Sequence, residues 1–322
     1  MPAPNKPKYA ARLNAFKSGK GSVADMIVGA GQVGGLDAAD LNYPDHFAAH
    51  DPVTLTGLLA DQNMALNGLA MRYYTDPGFA IGAFTNPDAT TRRAAIDLTK
   101  RGLDALAEMG GSLMTLWMGQ DGFDYAFQAD YARMWDDTIA ALAEVADHNP
   151  ALDIAIEYKP NEPRAYALMP DIGTTLLALK EAGRKNTGVT LDFAHVLYAD
   201  EMPAHTAHLV ARHARLLGVH LNDGYGKRDD GLMVGSVHPV QTVELFTELD
   251  RIGYDGVIYF DTFPDHSGLN PVEEARTNIA MANRLRAVAE TLRGNAELAA
   301  AIAKQDAAIS LRIVADALYG NT

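Results

Sequence analysis

The chain contains no cysteine. Disulfides, thiolate metal sites and cysteine nucleophiles are therefore excluded, and the composition fits a reducing cytosol. Positive charge is scarce: 27 lysines and arginines face 41 aspartates and glutamates, giving a formal charge of −14 over 322 residues. That balance argues against a nucleic-acid partner, which needs a basic face, and against an anionic membrane surface. No window approaches the ~18 uncharged apolar residues of a membrane span. Met1 to Lys20 is polar and basic, without the apolar stretch of a secretory signal. The expected compartment is the cytoplasm. The rest of the composition is ordinary, 48% hydrophobic and 21% charged, and a chain of this length can bury a large core.

Short apolar runs alternate with helical stretches. The runs are Ala24–Ala30, Ala38–Asn42, Leu66–Tyr73, Leu113–Met118, Ile154–Lys159, Gly188–Asp192, Leu217–Asn222 and Val257–Asp261. Between them the spacing predicts helices over Asp88–Glu108, Ala129–Asp147, Asp171–Ala182, Pro203–Leu216, Val240–Arg251 and Pro271–Leu292. Eight strand-helix alternations without a linker predict a (β/α)8 TIM barrel over residues 1–291. Residues 292–322 form a helical extension, with apolar positions spread through Ala296–Leu318. This tail either packs on its own barrel or wraps a second subunit; exposed apolar surface beyond a complete barrel predicts a homo-oligomer, a dimer or tetramer.

In such a barrel the chemistry sits where strands end. Glu157, Asp192, His220 and Asp261 end four successive runs, at gaps of 35, 28 and 41 residues. Three carboxylates brought together repel, and one would protonate unless a cation sat between them. Oxygen donors with one imidazole suit Mn²⁺, Co²⁺ or Mg²⁺. Alternatively each is a separate capping or salt-bridging group. Glu157-x-Lys159 places two side chains on one strand face. Lys159 there either stabilises a negative substrate oxygen or forms a wall salt bridge. His195, three residues past Asp192, is a metal ligand, a donor to a sugar hydroxyl, or structural.

Six motifs carry a resemblance. They are Leu116-Trp117-x-Gly119-x-Asp121-Gly122, Ile156-Glu157-Tyr158-Lys159-Pro160-x-Glu162-Pro163, Leu191-Asp192-Phe193-x-His195, Val219-His220-Leu221-Asn222-Asp223, Asp229-Asp230-x-Leu232-x-Val234-Gly235-Ser236-Val237-His238 and Phe260-Asp261-Thr262-Phe263-Pro264. Through them, residues from about Asp40 to Glu290 resemble the xylose isomerase-like sugar isomerases and epimerases, and within these the short bacterial metal-dependent L-rhamnose isomerases. The resemblance implies a sugar substrate and a structural metal on Glu157, Asp192, His220 and Asp261. A second, catalytic metal would lie near Asp229, with Asp192 or His195. Lys159 would touch the substrate oxygen, and Trp117 would floor the sugar site unless it belongs to the barrel core.

Two departures stand out against these relatives. Asn86 replaces a histidine held to help open the sugar ring, and an amide has no acid-base role near neutral pH. It is retained as a substrate-binding candidate. Gly231 stands where a further carboxylate is usual, with Asp230 beside it. The expected reaction is aldose–ketose isomerisation. Glu157 and Asp261, as acid and base across the site, would also serve a ketose 3-epimerase, and a metal-dependent lyase on oxidised glycosides is the other alternative. Epimerases of this kind commonly carry glutamate at the last ligand position, so Asp261 points to isomerisation.

Overall fold

The computed structural model describes residues 7–17, 19 and 21–320. Eight parallel strands close into a barrel: β1 (Tyr9–Arg12), β2 (Ala38–Tyr43), β3 (Ala65–Met71), β4 (Leu113–Trp117), β5 (Asp153–Glu157), β6 (Thr187–Asp192), β7 (Leu216–Leu221) and β8 (Ile258–Phe260). Closure comes from β1 pairing with both β8, through Tyr9 and Ile258, and β2, through Ala10 and Ala38. Strands covered on both faces are largely apolar. β6 is covered on both faces, with every residue from Thr187 to Asp192 buried, its polar residues Thr187, Thr190 and Asp192 included.

The first strand is not Ala24–Ala30. That run is helix α1 (Val23–Gly31), started by a reciprocal cap between Ser22 and Asp25. The true β1 is four residues rich in alanine, too short and too weakly β-forming to stand out beside the longer run. Helices α2 (Pro52–Asp61), α3 (Ala89–Glu108), α4 (Tyr131–His148) and α5 (Ile172–Ala182) begin at Asp51, Asp88, Asp130 and Asp171, whose carboxylates accept amide hydrogens of the first turn. The short α6 (Phe193–Tyr198) is capped in the same way by Asp192. Helix α7 (Pro203–His213) stops before Leu216, because Leu216 opens β7. Helices α8 (Pro239–Ile252), α9 (Pro264–Ser267) and α10 (Pro271–Leu292) complete the outer ring.

The tail is two helices, α11 (Ala296–Ala303) and α12 (Ala307–Tyr319), broken at Gln305 by a left-handed φ of 54°. It packs on its own barrel, burying Ala301 and Ile313. A groove of about 680 Å³ runs between α7, α8 and the tail. Though larger than the barrel mouth, it gathers no metal-ligating cluster of three or more such side chains among the described residues. No described helix is long and apolar enough to cross a membrane.

Candidate metal centre at the barrel mouth

Four strands deliver one polar side chain each. Glu157 is the last residue of β5 and Asp192 the last of β6; His220 lies in β7, and Asp261 directly follows β8. Asp192 and His220 are partners across the ladder, so they leave the barrel side by side. One ligating atom from each of the four lies within 4.8 Å of the others. His220 Nδ1 is 3.3 Å from Glu157, 3.9 Å from Asp192 and 4.0 Å from Asp261. None of these approaches is a hydrogen bond, and the buried Nδ1 has no partner among the described residues. An unpartnered buried nitrogen facing three carboxylates has the donor chemistry of a divalent-cation site.

His195 extends the cluster. Asp192 accepts the His195 backbone amide hydrogen at 2.9 Å, so the residue that joins the cluster also fixes the first turn of α6. The ring donates through Nε2 to Asp229 at 3.1 Å. Its Nδ1 then faces Glu157 at 3.5 Å, buried and unpartnered; Asp229 Oδ1 is likewise buried without a partner among the described residues. Asn222 ties the wall together. Its amide donates to both Asp192 oxygens, at 3.2 and 3.1 Å, and to the Asp261 carbonyl at 3.0 Å, while its oxygen accepts from Ala194 N at 2.8 Å. Sequence reading placed Asn222 in a motif but assigned it no task.

Lys159 lies two residues beyond β5, so the strand pleat does not govern it. It lines the same cavity, with Nζ 3.4 Å from Asp229, 3.3 Å from Glu162 and 4.8 Å from the centre of the Trp117 ring. Trp117 is the last residue of β4 and the ladder partner of Glu157. Both line the cavity of about 360 Å³. Arg12, Asp40, Arg72 and Tyr259 also line it; sequence reading missed Arg12, Asp40 and Tyr259 and reached Arg72 only as the first residue of a candidate specificity loop, Arg72–Thr85. Arg12 was lost with the misplaced first strand. Asp40 sits inside β2, where nothing in the sequence marks an inward carboxylate; it accepts from Asn67 at 2.6 Å, and burial pushes its carboxyl up to about 6.

Asn86 is elsewhere. It is buried beneath the loop after β3, donating to Gly82 O at 2.9 Å and accepting from Asp88 N at 3.0 Å, and it is absent from the cavity lining. The same loop hangs on Asp121, which accepts from the amides of Ala83 and Thr85. Asn86 thus supports the loop and does not line this cavity, where a substrate-binding residue was expected.

Burial and opposite charges together set the protonation of the cluster. Burial, opposed in part by His195, pushes Asp192 up to about 7, and Glu157 beside it adds to the rise. Burial acts on Glu157 too, but His220 and His195 outweigh it and hold that carboxyl below the usual range. Burial would depress both imidazoles, yet the surrounding carboxylates lift His195 to about 9 and His220 to about 10. Asp229 is held well below the usual range against its burial, by His195 and Lys159.

A pH dependence follows. The ion-free folded protein holds protons that the unfolded chain releases, so its stability falls as pH rises from about 6.5 through about 10. The raised Asp192 acts in the same sense between about 4 and 7. A cation held by these side chains would take the place of those protons. Melting curves at pH 7 and 9.5 should show a fall with pH for chelated protein and little change with saturating Mn²⁺. Chelated protein that gains stability with pH would contradict this.

A family model described as a xylose isomerase-like TIM barrel matches residues 22–285. The chain belongs to that family. It is 30% identical to the xylose isomerase of Thermus thermophilus over 196 residues, which cover 58% of this chain and 50% of that protein. The Thermus caldophilus xylose isomerase gives 29% over the same length. The match therefore spans about half the length of these curated relatives. Among solved structures, an L-ribulose 3-epimerase superposes with a TM-score of 0.72 at 15% identity, covering 90% of this chain and 99% of that one. The D-allulose 3-epimerase of Methylomonas sp., in complex with D-allulose, gives 0.68 at 18% identity, with 88% and 98% covered.

Against the family resemblance, the departure at Gly231 has a steric cause. The residue adopts φ +55°, and a Cβ there would sit 2.2 Å from the Phe263 ring. A carboxylate cannot be placed at that position without moving Phe263. Asp230 does not take its place: its carboxylate accepts from Tyr225 N and Arg228 Nε, both at 2.8 Å, within its own loop.

Proposed function

We propose that this chain is a divalent-cation-dependent sugar isomerase interconverting an aldose and a ketose. The observation that carries the reading is the clustering of Glu157, Asp192, His220 and Asp261 at the cavity that Glu157, His220 and Asp261 line together with Lys159 and Trp117. Three carboxylates and an imidazole, with an unpartnered nitrogen among them, fit Mn²⁺, Co²⁺ or Mg²⁺. His195 and Asp229 offer donors for a second ion beside the first. When bound, the cation supplies Lewis-acid polarisation of the substrate carbonyl.

The chain's own residues do the rest. Lys159 donates to the substrate oxygen that gains negative charge, from a position the carboxylates of Asp229 and Glu162 keep cationic. Trp117 presents an aromatic face to sugar C–H bonds. Glu157 and Asp261 flank the reacting carbons, and this pair supports the second reading, a ketose 3-epimerase that removes a proton on one side and returns it on the other. The likeness to short L-rhamnose isomerases rests on sequence motifs; the relatives reported above are xylose isomerases and ketose 3-epimerases. A cytoplasmic location is part of the same proposal.

A panel of aldoses and ketoses incubated with Mn²⁺ tests the reading. Formation of ketose from aldose is expected. Conversion of ketoses only into other ketoses would replace isomerase by epimerase, and no conversion with either class would overturn both. The tail leaves Ile302, Leu311 and Tyr319 exposed, which supports self-association as a dimer or tetramer. Sedimentation at micromolar concentration should exceed the 34.6 kDa of one chain; a monomer would refute this.

A further inference from the structure

The cavity holds three permanent cations, and two are already matched. Arg12 bonds Asp265 at 2.8 and 3.3 Å and approaches Asp261 at 3.9 Å. Lys159 is paired with Asp229 and Glu162. Arg72 is different. Among the described residues no carboxylate lies within 4.0 Å of it, although five carboxylates line the same cavity: Asp40, Glu157, Glu162, Asp229 and Asp261. Its one side-chain hydrogen bond runs from Nη1 to the Tyr74 hydroxyl, and Nε is buried without a partner.

The guanidinium is nonetheless held in place. Arg72 directly follows β3, and its backbone amide donates to Tyr43 O at 2.9 Å. Its guanidinium carbon lies 5.3 Å from the centre of the Tyr74 ring, and that ring meets Trp117 edge-on at 5.1 Å. In the closed strand order β3 stands four places from β7, so Arg72 faces the metal-ligating wall from across the barrel. A substrate anchored by one end at Glu157, Asp192, His220 and Asp261 brings its other end toward Arg72.

We infer that Arg72 binds a carboxylate at the far end of the substrate, so the preferred sugar is a sugar acid with its carbonyl at one end and a carboxylate at the other. This rests on the isomerase reading and narrows it. The buried Nε of Arg72 stays without an acceptor unless the ligand brings one. A single planar fork suits a carboxylate, which takes two parallel N–H bonds. One guanidinium set among five carboxylates is poorly equipped for the dianionic charge of a phosphate.

The test uses Mn²⁺-loaded protein and three non-isomerising probes in calorimetry: an alditol, the aldonate of equal length, and the alditol phosphate. The aldonate should bind about 10- to 100-fold tighter than the alditol, the range of a hydrogen bond to a charged group. Arg72→Gln should abolish that preference, and Arg72→Lys should keep part of it; the lysine variant also serves if the glutamine variant misfolds. An aldonate preference that persists in Arg72→Gln would mean direct chelation of the ion and would overturn the inference. Equal binding of aldonate and alditol, or tighter binding of the phosphate, would also overturn it. In parallel, a hexuronate should exceed its neutral aldose in kcat/KM. No turnover of any sugar would defeat the isomerase reading while the binding arm still decides the role of Arg72.

Discussion

Replacing Lys159 with methionine should lower turnover by about 10²-fold or more, the scale of losing one preorganised donor to a developing oxyanion. Methionine keeps most of the volume and removes the charge. The ammonium is buried in the cavity wall between Trp117 and the carboxylates of Asp229 and Glu162. If its purpose were only to neutralise those carboxylates, the variant would lose thermal stability and retain turnover. Asp229 keeps His195 as a partner in the variant, so ion content and folding should stay close to those of the parent. A Lys159→Met protein that melts earlier but turns over normally would make Lys159 a wall salt bridge.

Asp192→Asn should have the larger effect. Asparagine is the same size, and its oxygen can still cap α6 by accepting from His195 N. It removes one negative charge from a cluster with too many. Burial holds Asp192 up to about 7, so losing its charge relieves the cluster, but the new Nδ2 would face the Asn222 amide that donates to the carboxylate, and the ion-free variant should melt close to the parent. Cation affinity should fall by more than the 10- to 100-fold typical of losing a group that merely orients a ligand. Activity at low Mn²⁺ should vanish with it. Asn222→Ala supplies the comparison: it leaves all four ligands and removes their shared tie, so affinity should fall only within that 10- to 100-fold range. Destabilised Asp192→Asn with parental cation affinity would show that the carboxylate has a structural task alone.

The second half of the barrel was legible because β-strands covered on both faces read as apolar runs, each ending in a polar residue. Ile154 to Glu157, Val189 to Asp192 and Val257 to Asp261 all have that form, and Asp130 and Asp171 mark the starts of the helices on either side of β5. The first half was less legible. β1 is Tyr-Ala-Ala-Arg, and its weak pattern lost to the apolar helix that follows. That single error hid Arg12, whose guanidinium reaches Asp265 some 250 residues later. Arg72 and Tyr259 face the cavity through loop geometry and barrel closure, which no local spacing encodes. Asn86 shows the opposite failure. Its motif suggested substrate contact, and only tertiary structure reveals that its amide bonds Gly82 and Asp88 within its own loop.

The central claim is that one divalent cation sits among Glu157, Asp192, His220 and Asp261. A crystal grown with Mn²⁺ and measured for anomalous scattering tests it most directly. The account predicts one strong peak enclosed by these four side chains, with oxygen and nitrogen ligands at roughly 2.0–2.6 Å. A map with no peak there, and the four side chains turned apart into separate salt bridges, would contradict it.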